Sequence, residues 1–226
     1  MIGTIVNTLA IVIGGFLGVF LRGKFSSKIQ ETVMQGISLA VMLIGLNMAL
    51  SLDKNNGTIL IIFSLVLGGI IGEIIGIEKK LNNFGELLKR KFGDDEYFVQ
   101  GFVQTSLIFC VGAMAIMGAI QDGLNNDPSL LFTKSLLDGT SSIAFAATYG
   151  VGVVFSALAV FIYQGSITFL ASYAQQILSE SMIMGLTSTG GLLIFAIGLN
   201  ILKVAKIKVG NLLPALFVAV ILFALF

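Results

Sequence analysis

Residues 135–150 read "SLLDGTSSIAFAATYG". An aspartate, a run of hydroxyls and two glycines make the stretch too polar for an ordinary membrane span. Yet the surrounding 226-residue chain is 56% hydrophobic and only 11% charged, with a mean hydropathy of +1.00. Whether this stretch crosses the bilayer fixes the number of spans and the direction of every span after it.

Average soluble chains carry about a quarter charged residues, and a water-soluble fold could not hide this much apolar surface. The chain is therefore read as a polytopic membrane protein. Long apolar runs between short polar breaks argue for helices. A β-barrel would instead show strict alternation over stretches of about ten residues. The first run, "MIGTIVNTLAIVIGGFLGVFLRGKF", has no basic residue ahead of it and no small-residue cleavage site, so it reads as a retained span. The single cysteine, Cys110, excludes an intramolecular disulfide, and there is no histidine. A net charge of +1 gives no reason to expect nucleic acid as a partner.

Seven clear apolar runs lie at about 3–21, 30–50, 58–77, 99–121, 151–171, 180–202 and 210–226. Each is close to the roughly twenty residues that a helical span needs. The polar stretch, taken as 132–149, is the eighth candidate. Basic residues decide its reading, because Lys and Arg gather on the cytoplasmic side. Eleven of the thirteen fall in three breaks: Arg22, Lys24 and Lys28; Lys79, Lys80, Lys89, Arg90 and Lys91; and Lys203, Lys206 and Lys208. Only Lys54 and Lys134 lie elsewhere. If 132–149 crosses, all eleven face the cytoplasm and both termini face out. A re-entrant hairpin is the alternative, at the expense of that asymmetry.

Residues 77–92, "IEKKLNNFGELLKRKF", place Ile77, Leu81, Phe84, Leu88 and Phe92 at helical spacing among basic residues. The pattern predicts an amphipathic helix on the cytoplasmic headgroups, with a solvated charged loop as the alternative.

The two ends of the chain also match each other. Gly3, Leu9, Ala10, Ile13, Phe20, Leu21, Glu31 and Gly36 find the same residue 149 positions on, from Gly152 to Gly185. The "GLN" of 45–47 recurs at 198–200, and Gly57 at Gly210, both at an offset of 153. The change of four residues is close to one helical turn. Spans one to three would then equal spans six to eight. Equivalents are separated by five spans, so the two copies are inverted, a recurrent plan in secondary transporters. The expected organisation is one integral domain, 1–226. Repeat one covers 1–77, the amphipathic helix and its loop 78–98, central spans four and five 99–149, and repeat two 150–226.

Polar groups inside a bilayer are costly and usually face protein or water. "DGTSS" supplies Asp138, Ser141 and Ser142 as a substrate or ion site, or else marks a frayed helix start. "GLTSTGG", 185–191, offers Thr187, Ser188 and Thr189 in an unwound segment fit for a hard cation, or simply small-residue packing. Gln121, Asp122 and Asp127 would line an acidic outer vestibule or a plain loop. Asn47 and Asn200 are equivalents in the repeat and would bind ligand or cap helix ends. Gln164, about midway through span six, must find a partner. Glu73 would snorkel, and its neighbours Gly68, Gly72 and Gly76 form a ridge for helix packing or a homo-oligomer contact.

"GAMAIMGAIQDGLNNDPSLLFTKSLLDGTSSIAFAATYGVGVVFSALAVFIYQGSITFLA" resembles the signature of a bacterial membrane family of unknown function that includes YqgA and YdfK. The resemblance covers nearly the whole chain and is densest over 112–171. Its motifs, "QDG", "DPSLL.TKS.LDG" and "YQGS.T", are long and specific. It implies a multi-pass protein of the bacterial inner membrane, often labelled a transporter, and supplies no substrate.

From the residues themselves the expectation is a secondary transporter or ion-conducting protein for a small solute or cation, in contact with the lipid bilayer. No cofactor and no nucleotide are expected, since no G-x-x-x-x-G-K-[ST] loop is present. No metal can be named. A scaffold that binds partner helices through glycine ridges is the alternative. Enzymatic activity is not expected. Without histidine, Ser-His hydrolysis and H-E-x-x-H zinc chemistry are absent. The remaining carboxylates, Asp122 and Asp138, have no other catalytic feature beside them.

Overall fold

A computed structural model describes residues 1–24, 27–51, 57–92, 95–111, 113–171 and 178–225. Lys54, Gly112 and Phe226, which the sequence places in an outer loop and in two spans, lie outside the described residues. All regular structure among the described residues is helical. The helices are α1 Ile2–Leu21, α2 Ser27–Ala49, α3 Gly57–Ile75, α4 Ile77–Phe92, α5 Phe98–Cys110 and α6 Ala113–Asn125. They continue with α7 Ser129–Tyr149, α8 Gly152–Phe169, α9 Glu180–Ile201, a 3-10 turn Val209–Leu212 and α10 Pro214–Leu225.

The distribution of side chains shows the solvent. In α1 the buried stripe is Gly3, Thr4, Asn7, Ile11, Gly14, Gly15 and Gly18. Large apolar residues point away from the protein instead: Ile13, Phe16 and Phe20 are 60%, 57% and 69% exposed. In water this pattern would be inside out. In lipid it is the stable one, because apolar side chains gain nothing by leaving lipid and small residues let backbones approach. Among the described residues five helices are long and apolar enough to cross a membrane: Ile2–Leu21, Glu31–Ala49, Gly57–Ile75, Gly152–Phe169 and Glu180–Ile201. The pair Phe98–Cys110 and Met114–Asn125 makes a sixth when counted as one span, bent by 60°. The protein is an all-α membrane protein.

Two compact units form, each assembled from separate stretches of chain. The first comprises Met1–Val33, Asn82–Cys110 and Met114–Gln176, and the second Met34–Leu81, Val111–Ala113 and Ile177–Phe226.

In the first unit α1 and α7 run parallel along most of their length. A Cβ on Gly3 would meet Leu131, one on Gly14 would meet the Gly139 carbonyl, and one on Gly18 would meet Ile143 and Ala146. Glycines at these positions are what allow so close an approach. The 21 residues of α7 measure about 31 Å at about 1.5 Å each, against a hydrocarbon core of about 30 Å. "DGTSS" is not a frayed start. It lies at the middle of a continuous helix, whose N-terminus is held by Asp127: the Ser129 hydroxyl and the Ser129 backbone N–H both donate to that carboxylate. At the other end Gly150 adopts φ +75°. A Cβ there would strike the Arg22–Asp95 ion pair, which ties the end of α1 to the segment ahead of α5. Helix α8 packs antiparallel to α1, with Thr4 against Thr168, Asn7 against Gln164 and Gly15 against Val154.

In the second unit α2 and α9 are antiparallel and touch through glycine. A Cβ on Gly45 would fall 2.5 Å from the Phe195 nitrogen and 2.6 Å from the Gly191 carbonyl oxygen. A Cβ on Gly198 would meet Met42 and, at 3.1 Å, the Ser38 carbonyl oxygen. Helices α3 and α10 are antiparallel as well, Gly68 facing Ala215 and Gly72 facing Asn211. The glycine ridge of α3 is thus used at these two positions within the chain. Glu73 does not reach out alone: it accepts from Lys208 Nζ at 2.7 Å and from Asn211 Nδ2 at 2.6 Å. That contact, with the Glu73 carboxylate as its cause, holds the Lys208 ammonium above its ordinary pKa.

Three expectations need correction. The run 99–121 is not one straight helix: α5 ends at Cys110 and α6 begins at Ala113, at an angle of 60°. The run 210–226 forms a 3-10 turn and then a 12-residue helix beginning at Pro214, because proline suits a first helical position and cannot sit inside one. "GLTSTGG" is not unwound but continuous helix within α9. Its glycines serve packing: a Cβ on Gly191 would strike the backbone of Gly45 and Ala49. The amphipathic helix takes the expected bounds, Ile77–Phe92. In the first unit its Phe84 ring stands 5.8 Å from that of Phe102, and Gly85 lies against Val99.

Candidate functional site

Within the first unit, α1, α7 and α8 bring four polar side chains together where the helices bury one another. Asp138 and Lys134 lie one turn apart on α7 and form a buried ion pair, with 7% and 6% of each residue exposed. Asn7 of α1 donates from Nδ2 to Asp138 Oδ2 at 3.0 Å and to Gln164 Oε1 of α8 at 3.2 Å. Asn7 and Gln164 are both fully buried. Next along the α1–α8 seam the Thr4 and Thr168 hydroxyls meet at 3.2 Å, and Thr168 also donates to the Gln164 carbonyl at 2.9 Å.

The cluster is not saturated. Asn7 Oδ1, Gln164 Nε2 and Ser142 Oγ are buried and have no hydrogen-bond partner among the described residues. Buried polar atoms are nearly always paired, so three orphans around one ion pair call for an explanation. They comprise an acceptor, a donor and a hydroxyl that can do either. The end of α5 is close by. Phe109, in the last turn of α5, has its ring centre 6.0 Å from the Lys134 ammonium. The last four carbonyls of a helix have no partner inside it and carry its negative end. On the opposite side of α7 a crevice of about 260 Å³ is lined by Leu21, Ile29, Val33, Thr140, Ile143, Ala144, Ala147 and Thr148. It is almost wholly apolar and does not include the ion pair.

The structure thus unites Asp138 and Gln164 of the expected site residues, with Ser142 one turn beyond Asp138. Ser141 is partly buried on the same helix. Asp122 is also in this unit but faces no open vestibule. It is buried, accepts from the Gly3 backbone N–H at 3.1 Å and pairs with the Met1 amino group at 3.0 Å. Gln121 donates to Asp127 at 2.6 Å. The Ser129 hydroxyl, then its backbone N–H, hold the Asp127 carboxyl below its ordinary pKa.

The other expected residues belong to the second unit. Thr187 donates to the Ile183 carbonyl of its own helix at 2.7 Å, and the Ser188 hydroxyl lies 3.3 Å from that of Ser51. Thr189 Oγ1 is buried without a partner among the described residues. Asn47 is exposed on α2. Asn200 binds both the N–H and the carbonyl of Ile207, each at 2.8 Å, and so closes the loop after α9. Among the described residues no three His, Cys, Asp or Glu side chains gather to hold a metal ion.

Asn7, Lys134, Thr4 and Thr168 were not singled out from the sequence. The four-residue spacing of Lys134 and Asp138 in an apolar helix was the available signal. Asn7 offered only a lone amide in an apolar run.

Comparison with known proteins agrees with the fold. Residues 2–224 match the family described as protein of unknown function, DUF554. The chain is 35% identical over 219 residues to the uncharacterized membrane protein YdfK of Bacillus subtilis (strain 168), covering 96% of this chain and 93% of the relative. It is 30% identical over 225 residues to the uncharacterized protein YqgA of Escherichia coli (strain K12), covering 97% and 94%. No solved structure matches the chain. With nearly its whole length matched to that family and to two of its bacterial relatives, the chain belongs to the DUF554 family of membrane proteins of unknown function.

Proposed function

We propose that the protein is a secondary transporter or ion-conducting protein for a small solute or cation, with its site at Asn7, Lys134, Asp138 and Gln164. The observation that carries this reading is the unsaturated polar cluster among three helices. A buried ion pair that served stability alone would be a poor investment, since apolar residues of similar volume often do as well. Buried ionisable groups in membrane helices generally mark pathways or proton relays. A helix end beside such groups, here that of α5 at Phe109, is a recurrent feature of such sites.

The proposed architecture has eight spans and a 3+3 inverted repeat, in the bacterial cytoplasmic membrane with both termini outside. The lysine distribution supports it, and so does α7 lying parallel to α1 over a full span's length. All three pairs of expected equivalents, α1 with α8, α2 with α9 and α3 with α10, pack antiparallel. At the offset of 153, Gly45 corresponds to Gly198, Met42 to Phe195 and Ser38 to Gly191. Gly45 meets Phe195 and Gly191, while Gly198 meets Met42 and Ser38. The two sets of neighbours are each other's equivalents, as an inverted repeat requires. No catalytic role is proposed for Asp122 or Asp138, because each is already matched by a cationic group. A homo-oligomer would not use Gly68 or Gly72, which are covered within the chain. Gly36 of α2, where a Cβ would meet nothing within 4 Å, is the open alternative.

The test is a thermal-stability screen of the purified protein against cations and small metabolites, followed by flux of each stabilising compound into liposomes. A transported compound should raise the melting temperature and enter, and Asn7→Ala should abolish both effects. No shift across the screen and no flux would refute the reading.

A further inference from the structure

The charges of the cluster cancel. Asp138 contributes one negative and Lys134 one positive charge. Asn7 of α1, Gln164 of α8, Ser142 of α7 and Phe109 of α5 are neutral. Three other titratable side chains come from the elements packed around the pair. Cys110 ends α5, next to Phe109, whose ring faces the Lys134 ammonium. Tyr163 precedes Gln164 on α8. Asp122 of α6 is balanced by the Met1 amino group, and α6 reaches α7 through Gly118 and α8 through Gly123. A neutral pocket buried among membrane helices cannot take up a lone ion cheaply, since the site would then hold an unbalanced charge away from water.

We infer that passage through the Lys134–Asp138 site carries no net charge: the site accepts small net-neutral polar solutes, and it accepts a cation only in exchange for a proton and an anion only together with one. The inference rests on the transporter reading above and narrows its substrate class. The orphaned atoms describe the solute. Asn7 Oδ1 needs a donor, Gln164 Nε2 needs an acceptor and Ser142 Oγ can supply either. Amides, small alcohols and zwitterions present both. For a monovalent cation the balance closes if Lys134 releases one proton to water. The site then holds the cation, a neutral amine and the Asp138 carboxylate, and sums to zero. For a monovalent anion one proton enters with it and rests on Asp138. The anion, a neutral acid and the Lys134 ammonium again sum to zero. Both routes use the pair as a proton store and need no second acidic group.

The experiment uses the full-length protein in liposomes of phosphatidylethanolamine and phosphatidylglycerol with an entrapped pH dye. The probes are radiolabelled sodium, chloride, alanine and urea. Valinomycin with a tenfold potassium gradient of either sign sets the potential. The expected result is that at least one probe crosses at a rate changed less than twofold by the potential. Any sodium or chloride that crosses moves one proton per ion, sodium outwardly exchanging it and chloride carrying it along. Lys134→Gln, which leaves the site singly negative, should make sodium entry follow the potential. Sodium or chloride flux that follows the potential in the wild type without proton movement would overturn this inference and leave the transporter reading standing. Absence of flux for all four probes would overturn both.

Discussion

Replacing Lys134 by Met isolates the energetics of the cluster. The ammonium and the carboxylate of Asp138 are 93% or more withdrawn from solvent as residues, with exposures of 6% and 7%. Breaking a buried pair by removing one partner costs about 3–5 kcal/mol, because the other charge remains uncompensated. Asp138 keeps the 3.0 Å hydrogen bond from Asn7 in wild type and variant alike, so that bond does not change the difference. Lys134→Met should therefore lose about 3–5 kcal/mol. The double variant Lys134→Met with Asp138→Leu should recover to within about 1 kcal/mol of wild type. Reversible unfolding in mixed micelles measures all four members of the cycle. A loss below about 1 kcal/mol would show that water reaches the pair freely, and the desolvation argument would be wrong.

Other expectations are as specific. Gly45→Val would drive carbon into the backbone of α9, where a Cβ already falls 2.5 Å from the Phe195 nitrogen, and should cost about 1–3 kcal/mol of unfolding free energy. On the same helix Gly36→Ala meets nothing within 4 Å and should be neutral or stabilising by up to about 1 kcal/mol. Equal losses at the two positions would contradict the α2–α9 packing. For topology, in a Cys110→Ala background, a cysteine at Asn126 should react with an impermeant reagent from outside the cell and one at Lys206 should not. Reaction of both from outside would remove the eight-span arrangement and the inversion together.

Much of the architecture was legible before any coordinates. Composition alone dictates a helical membrane protein, since so few charges cannot clothe so many apolar residues. The amphipathic helix was readable to its ends, because Ile77, Leu81 and Leu88 recur at 3.6-residue spacing between clustered lysines. The site was only half legible. Asp138 and Gln164 stood out as polar groups that need partners, but the partner they share, Asn7, lies 131 and 157 positions away, and nothing local in "IVNTLA" announces it. Lys134 was counted only as a basic residue outside the three clusters, at the edge of the candidate span 132–149; its place on α7 one turn before Asp138 is what pairs the two. "GLTSTGG" misled in the opposite direction. Glycine lowers helix propensity in water, yet in lipid the backbone has no better hydrogen-bond partners, and the glycines of α9 are retained for close contact with α2. The bend between α5 and α6 left no mark in hydropathy, which measures how apolar a run is and not whether it is straight.

The central claim is that the cluster of Asn7, Lys134, Asp138 and Gln164 is reached from water during the working cycle, although it is sealed in the structure. Ser142 reports on this directly. Its hydroxyl is fully buried, unpaired and one turn from Asp138, and serine to cysteine changes little in size. In a Cys110→Ala background in native membranes, Ser142→Cys should react slowly with a small charged thiol reagent. Asn7→Ala or Lys134→Met should alter that rate, while a cysteine on the lipid face at Leu136, which is 72% exposed there, should stay unreactive. Failure of Ser142→Cys to react from either side, in folded protein whose unfolded form does react, would show a permanently closed structural cluster and contradict the account.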